Sequence, residues 1–280
     1  MYCSLMDGYC LIGEMKNALR VLDSMVSAGL EPNAVTYGTL INGYCKSGQI
    51  DNGLNIFREM LLKSVKPSTI TYNIVINGLF RAGRTIAAKQ KFHEMIESGI
   101  PVDIETYSTV LNGLFENNCF DEAVTLFKKL CSMNVKMDIV TLNTVISGMF
   151  KARRIEEAKH LFASIQAYGL VPCVLTYTLM MTNFINEGLL AEADDIFSAM
   201  EKSGCAPDSR LLNTVARALV GKGEIIRAAN YLAKIDEKNF SLEASTIEML
   251  ISLFLRKDAW QEHIKLFPEK YQFLMGVSHI

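Results

Sequence analysis

Seven cysteines and four histidines are the side chains through which this 280-residue chain could hold a metal or act as a nucleophile, and their spacing argues against both. Zinc sites draw on paired ligands a few residues apart, and zinc-hydrolase helices set two histidines one turn apart around a glutamate. Cys3, Cys119, Cys131, Cys173 and Cys205 form no such pair, and His93, His160, His263 and His279 are isolated. No nucleophile stands beside a base at motif spacing, and no glycine-rich phosphate loop occurs. Neither intrinsic catalysis nor a metal or cofactor is therefore expected, and the thiols read as structural ones in a reducing compartment. What does recur is hydrogen-bonding chemistry. Thr36, Thr71, Thr106, Thr141 and Thr176 lie 35 residues apart, nearly always followed by Tyr and then a small polar residue.

A fixed period of this length is the mark of a stacked-repeat protein. Other columns keep the frame: Gly8, Gly43, Gly78, Gly113 and Gly148; Ala18, Gly53, Ala88, Ala123, Ala158, Ala193 and Ala228; and the large apolar Leu22, Phe57, Phe92, Phe127, Phe162, Phe197 and Leu232. Cys10 and Cys45 share a column that carries Phe115 and Phe150 elsewhere, as small buried hydrophobes do. Seven units follow without insertion: 1–33, incomplete at its start, then 34–68, 69–103, 104–138, 139–173, 174–208 and 209–243. Residues 244–280 keep two amphipathic stretches, Ser245 to Arg256 and Ala259 to Phe267, and read as a degenerate helical cap in which Trp260 packs.

Within a unit, Ile70, Ile74, Val75 and Leu79 make one helical stripe and Ala88, Phe92 and Met95 a second. Gly13, Gly48, Gly83, Gly188 and Gly223 stop the first helix. The column Gly29, Ser64, Gly99, Asn134, Gly169, Gly204 and Asn239 stops the second, often ahead of Pro32, Pro67, Pro172 or Pro207. Each unit is thus a helical hairpin, marginal alone and stable only when stacked, and the chain is expected to be all-α, an α-solenoid.

The charge balance, 28 basic against 30 acidic residues, gives a net −2, so no whole-molecule field draws the chain to nucleic acid and any attraction is local. No run of 18 apolar residues occurs, so no membrane span is expected. Met1 already lies inside the first unit. The expectations are that no targeting peptide is present, that the chain is a piece of a longer protein or a shortened form of one, and that its first apolar face frays.

The wording of these hairpins, as in Ile70 to Gly78 (ITYNIVING) and Val140 to Gly148 (VTLNTVISG), resembles the pentatricopeptide repeat (PPR) family over almost the whole chain. The even units resemble its P subclass, and with the tail Leu266 to Leu274 (LFPEKYQFL) they are similar to the fertility-restorer-like proteins of plants. The resemblance implies a right-handed superhelix whose first helices line a groove for single-stranded RNA, one base per repeat. It assigns base recognition to the residue after the Thr-Tyr pair and to the last residue of the unit. Here these are Cys3 with Asn33, Gly38 with Ser68, Asn73 with Asp103, Ser108 with Asp138, Asn143 with Cys173, Thr178 with Asp208, and Asn213 with Glu243.

An ionised aspartate only accepts hydrogen bonds, while uracil and guanine carry an imino N–H that adenine and cytosine lack. Asp103, Asp138 and Asp208 therefore select U or G. The family pattern implies U at Asn73, G at Ser108 and Thr178, and a pyrimidine at Asn143, for a core of U-G-(U or C)-G. The residues three before the recognition position, Val35, Ile70, Val140 and Leu175, would sandwich the bases; Arg210 stacks through its guanidinium, and Glu105 departs from the pattern. Lys46, Arg81 and Lys151 share a column suited to phosphates, interrupted by Glu116. Two rival readings are plain: the small polar residues serve only as helix N-caps, and the basic column only as solvated helix ends. A helical scaffold binding a peptide is the competing function, and it predicts charged or aromatic clusters at the groove positions. The resemblance further implies a monomer acting in RNA processing, stability or translation in mitochondria, with chloroplasts as the alternative, and recruiting a partner such as a nuclease.

Overall fold

The computed structural model describes residues 1–255 and Tyr271. Ala259 to Phe267, Trp260, His263, His279 and most of the tail Leu266 to Leu274 lie outside the described residues. Among the described residues every regular element is helical, and they fall into two compact units, Met1–Ser164 and Ile165–Ile280. The first holds α1 (Tyr2–Leu11), α2 (Met15–Ser27), α3 (Ala34–Lys46), α4 (Ile50–Leu62), α5 (Thr69–Arg81), α6 (Thr85–Glu97), α7 (Ile104–Glu116), α8 (Phe120–Ser132), α9 (Ile139–Lys151) and α10 (Ile155–Ser164). The second holds a 3₁₀ turn (Ile165–Tyr168), α11 (Val174–Glu187), α12 (Leu190–Lys202), α13 (Ser209–Gly221), α14 (Ile225–Glu237) and α15 (Ala244–Leu255).

Each odd helix pairs with the even one after it, and odd helices also pack in series: α1 on α3, α3 on α5, α5 on α7 and α7 on α9 in the first unit, α11 on α13 and α13 on α15 in the second. This is an α-solenoid of hairpins. The connections turn through left-handed residues. Arg153 at φ 59° and Asn118 at φ 59° occupy the place that Gly48 and Gly83 fill in earlier hairpins, so the turn tolerates a side chain where glycine is the easier choice.

The recurrent threonine is a capping residue. Thr36, Thr71, Thr106, Thr141 and Thr176 are all buried at the third position of an odd helix, and the backbone N–H groups of Asn33, Ser68 and Cys173 donate to the Thr36, Thr71 and Thr176 hydroxyls at 3.3 to 3.4 Å. The capping residue's side chain accepts from the threonine N–H in return, a reciprocal arrangement that satisfies two otherwise orphaned donors. The tyrosine that follows packs edge-on against the large apolar residue of the preceding hairpin, Phe57 with Tyr72 at 5.5 Å and Phe92 with Tyr107 at 6.1 Å between ring centroids. Such pairs stabilise by about 0.5–1.5 kcal/mol beyond their burial.

The glycine column marks where successive odd helices touch. A Cβ on Gly113 or Gly148 would lie 2.2 Å from the ring of Phe80 or Phe115, and one on Gly43 or Gly78 would lie 2.5 Å from the sulfur of Cys10 or Cys45. Those two thiols are core packing: both are buried, and burial pushes the Cys45 thiol up to about 11.

Even helices are tied to their successors by ion pairs at a spacing of 33 residues: Arg84 with Asp51 at 2.5 Å, Lys89 with Glu122 at 3.0 Å, and Arg154 with Asp121 in the first unit; Arg227 with Asp194 at 2.7 Å in the second. Pairs this exposed are screened by solvent and hold little of the fold's stability. Their larger effect here is to neutralise the basic side chains of the even helices.

Candidate nucleic-acid interface

The odd helices carry the sequence-derived recognition residues, and their caps fix where those residues stand. Asn33, Ser68, Asp103, Asp138, Cys173 and Asp208 are the N-caps of α3, α5, α7, α9, α11 and α13. Asp103 Oδ1 accepts from the Thr106 N–H and hydroxyl at 2.8 Å each, Asp138 Oδ1 from the Thr141 N–H at 2.7 Å, and Asp208 Oδ1 from the Leu211 N–H at 2.7 Å. In all three, Oδ2 accepts no hydrogen bond from the described residues. Capping and base reading are therefore compatible at one aspartate, because each takes a different oxygen.

Asn73 stands on α5 and Asn143 on α9, one turn inside the helix, and in both the Oδ1 atom is buried without a hydrogen-bond partner. Leaving such an acceptor unsatisfied costs about 1–3 kcal/mol. Asn73 lies in a cleft of about 220 Å³ whose lining includes Ile70, Asn77, Lys46, Arg81 and Glu105. In the first unit Val35, Ile70 and Val140, proposed stacking residues, are 64%, 68% and 62% exposed, apolar side chains offered to solvent at the starts of α3, α5 and α9; in the second, Leu175 at the start of α11 is 62% exposed. Glu105 and Arg210 take the equivalent place on α7 and α13 and are likewise exposed.

The remaining recognition positions differ in how free they are. Ser108 on α7 is half-buried, and Gly38 on α3 has no atom within 4 Å of where a Cβ would stand. Thr178 on α11 returns its hydroxyl to the Val174 carbonyl at 2.8 Å. Cys3 on α1 places its sulfur 3.7 Å from the Thr36 hydroxyl. At Cys173, burial raises the thiol pKa, but hydrogen bonds from the Thr176 hydroxyl and from the Thr176 and Leu175 N–H groups outweigh it and leave the net shift downward. Asn213 is fully buried and engaged on both sides. Its amide donates to the Ser209 and Ser241 carbonyls at 2.8 and 3.1 Å, and its oxygen accepts from the Glu243 N–H at 2.9 Å.

Of the basic column, Lys46 and Arg81 are exposed at the rim of the cleft and make no ion pair among the described residues. Lys151 differs: its Nζ lies 2.5 Å from Glu116 Oε1, so the residue that interrupts the column also neutralises its next member. Two features escaped sequence reasoning. The ion pairs of the even helices had a signal, opposite charges 33 apart. The pairing of Glu243 with Arg217 had one too, since Arg217 stands in a column otherwise made of Asp7, Asn42, Asn77, Asn112, Ser147 and Thr182.

Comparison with known proteins gives a consistent result. A PPR repeat family model matches residues 1–46, 32–81, 67–116, 137–186 and 172–221, and a PPR repeat model matches 105–135. Over 72 residues, 25% of this chain and 9% of the other, the sequence is 49% identical to Protein Rf1, mitochondrial, of Oryza sativa subsp. indica. Among solved structures, the pentatricopeptide repeat protein PPR10 from maize superposes with a TM-score of 0.64 at 20% identity, covering 98% of this chain and 46% of that one. The same protein in complex with an 18-nt psaJ RNA element gives 0.58 at 21% identity, covering 93% and 42%. The PPR domain of Arabidopsis thaliana protein-only RNase P 1 in complex with tRNA gives 0.50 at 16% identity, covering 64% and 95%. The chain thus spans under half the length of the maize protein it resembles.

Proposed function

Because this chain belongs to the PPR repeat family, we propose that it binds single-stranded RNA sequence-specifically, one base per hairpin, in organellar RNA processing, stability or translation. The observation that carries the reading is the row of exposed apolar side chains at the first turns of α3, α5 and α9, beside Asn73 and Asn143 amides whose oxygens have no hydrogen-bond partner among the described residues. A base lying against Ile70 or Val140 would bring its edge beside the Asn73 or Asn143 amide, whose N–H₂ can donate to a pyrimidine carbonyl, while the flat apolar contact is indifferent to base identity.

The letter is then set by the cap. At Asp103, Asp138 and Asp208 the uncommitted Oδ2 accepts an imino N–H, which selects U or G. With Asn73, Ser108, Asn143 and Thr178 as partners the core reads U-G-(U or C)-G from the N-terminus. Lys46 and Arg81 meet phosphates, with Lys151 joining them only when it leaves Glu116. Gly38 with Ser68 and Cys3 with Asn33 carry no assigned letter. The protein acts by occupying or marking RNA, with no chemistry of its own, and recruits a partner such as a nuclease where cleavage follows. A mitochondrial site of action is supported by the 49% identity to the rice mitochondrial protein.

A filter-binding titration with a short strand containing UGUG, set against its complement, tests this reading. Preferential retention of the UGUG strand is expected. Equal retention of the two, or retention of neither, refutes it.

A further inference from the structure

In the seventh hairpin, Asn213 and Glu243 hold the places proposed to read a base in its neighbours, yet Asn213 is fully bonded from within and Glu243 is paired with Arg217. The Asn213 amide is bonded on both sides, as described above, so the partnerless oxygen of Asn73 and Asn143 has no counterpart here. One oxygen of the Glu243 carboxylate is paired, with a cation: Arg217 Nη1 lies 2.5 Å from Glu243 Oε2 and donates to the Thr246 hydroxyl at 2.8 Å, while Nη2 donates to the Thr214 hydroxyl at 3.1 Å; the capping aspartates, by contrast, bond only neutral donors among the described residues.

Arg217 is the exception in its column. Six hairpins carry a short side chain there, Asp, Asn, Ser or Thr, and two of these, Asn42 and Asn77, line the cleft around Asn73. A guanidinium in this place reaches across to the last residue of its own unit and supplies the donors that a uracil or guanine imino group would otherwise offer. Its planar fork suits a carboxylate. α15 contributes Thr246, which is buried, so the contact is fixed on three sides by side chains of α13 and α15 and by Glu243 between them.

We infer that the seventh hairpin is closed to bases: Asn213 is spent on Ser209, Ser241 and the Glu243 N–H, Arg217 takes the Glu243 carboxylate, and the letters read along these seven hairpins end with the sixth. The inference rests on the RNA-binding reading above. It assigns Arg217 as the residue that sets the 3′ limit of recognition, and it predicts a neutral nucleotide immediately after the U-G-(U or C)-G core.

Fluorescence anisotropy with four strands that differ only in the nucleotide 3′ of UGUG tests this on the whole chain. The native protein is expected to bind all four within about twofold, and Arg217→Thr, which restores the residue type of the preceding hairpin and releases Glu243, is expected to favour U or G there by about tenfold. A native preference at that nucleotide of about tenfold, or an R217T protein as indifferent as the native one, overturns the inference. Should R217T fail to melt cooperatively, Glu243→Gln replaces it. No change in any of the four affinities supports closure, and loss of a U or G preference overturns it. Strands altered within the core separate the two levels, since indifference to the core defeats the RNA-binding reading itself, whereas core selectivity with a selective 3′ nucleotide defeats only this inference.

Discussion

Exchanging Asp103 for asparagine isolates base reading from folding more cleanly than any other change in the chain. Oδ1 of Asp103 holds the Thr106 N–H and hydroxyl at 2.8 Å, and an asparagine oxygen can hold both in the same place. Asn and Asp are near-equal N-caps, and loss of the charge at the start of α7 removes about 0.3–1 kcal/mol of dipole interaction at most, so the melting temperature should fall by only a few degrees. At the other oxygen the change is one of kind. An acceptor becomes an N–H₂ donor, which meets the uracil N3–H donor to donor but complements the N3 acceptor of cytosine. A hydrogen bond to a charged group contributes about 1.5–3 kcal/mol, and since Asp103 is exposed the lower figure applies, about a tenfold loss for U. Anisotropy titrations of native and D103N protein with UGUG and CGUG strands at one salt concentration read this directly, with circular dichroism melts alongside. The expected result is a reversal from U to C at that position alone. An unchanged U preference in a D103N protein that melts like the native one refutes the reasoning, as does an equal loss against every strand.

Other expectations follow from packing and charge. Gly113→Ala places a methyl 2.2 Å from the Phe80 ring, and overpacking of about 1–3 kcal/mol outweighs the roughly 1 kcal/mol gained in helix propensity; Gly8→Ala, with nothing within 4 Å, keeps only the gain. Urea melts should therefore move in opposite directions for the two variants. With Lys151 held by Glu116, two free cations predict a salt slope near −1.4 in single-strand binding, and Glu116→Gln should steepen it by about 0.7, as read from affinities between low and moderate salt. Thiol alkylation followed by mass spectrometry should find Cys173 modified first and at lower pH, because its hydrogen bonds hold the thiol below its ordinary range, while Cys45, pushed up to about 11 and buried, should react only on unfolding.

The hairpins were legible in the sequence because stacked units repeat their constraints. A column of Gly43, Gly78, Gly113 and Gly148 records one backbone approach repeated at each step, and the residues Gly29, Ser64, Gly99, Asn134, Gly169, Gly204 and Asn239 all take positive φ. Arg153 could not be read as a turn residue, since its conformation is imposed by the hairpin around it and not favoured by its own side chain. The candidate site was legible in its columns but not in its atoms. From sequence, capping and recognition at Asp103 look like rivals; only the separate use of Oδ1 shows that one side chain can serve both. Lys151 illustrates the converse, because a column of like charges says nothing of a carboxylate 2.5 Å away from one of them.

On the proposed function the capping aspartates serve both the helix and the base, with a consequence that reaches beyond this chain. Asn, Asp, Ser and Thr start helices almost equally well, so exchanges among them leave the hairpin standing while changing which hydrogen-bonding face is turned outward. On that reading target preference is decoupled from folding: a descendant would be re-addressed to a different transcript by single substitutions that are nearly silent in stability. Selection for new specificity meets little resistance from the scaffold, and such arrays can drift across many targets without passing through unfolded ancestors.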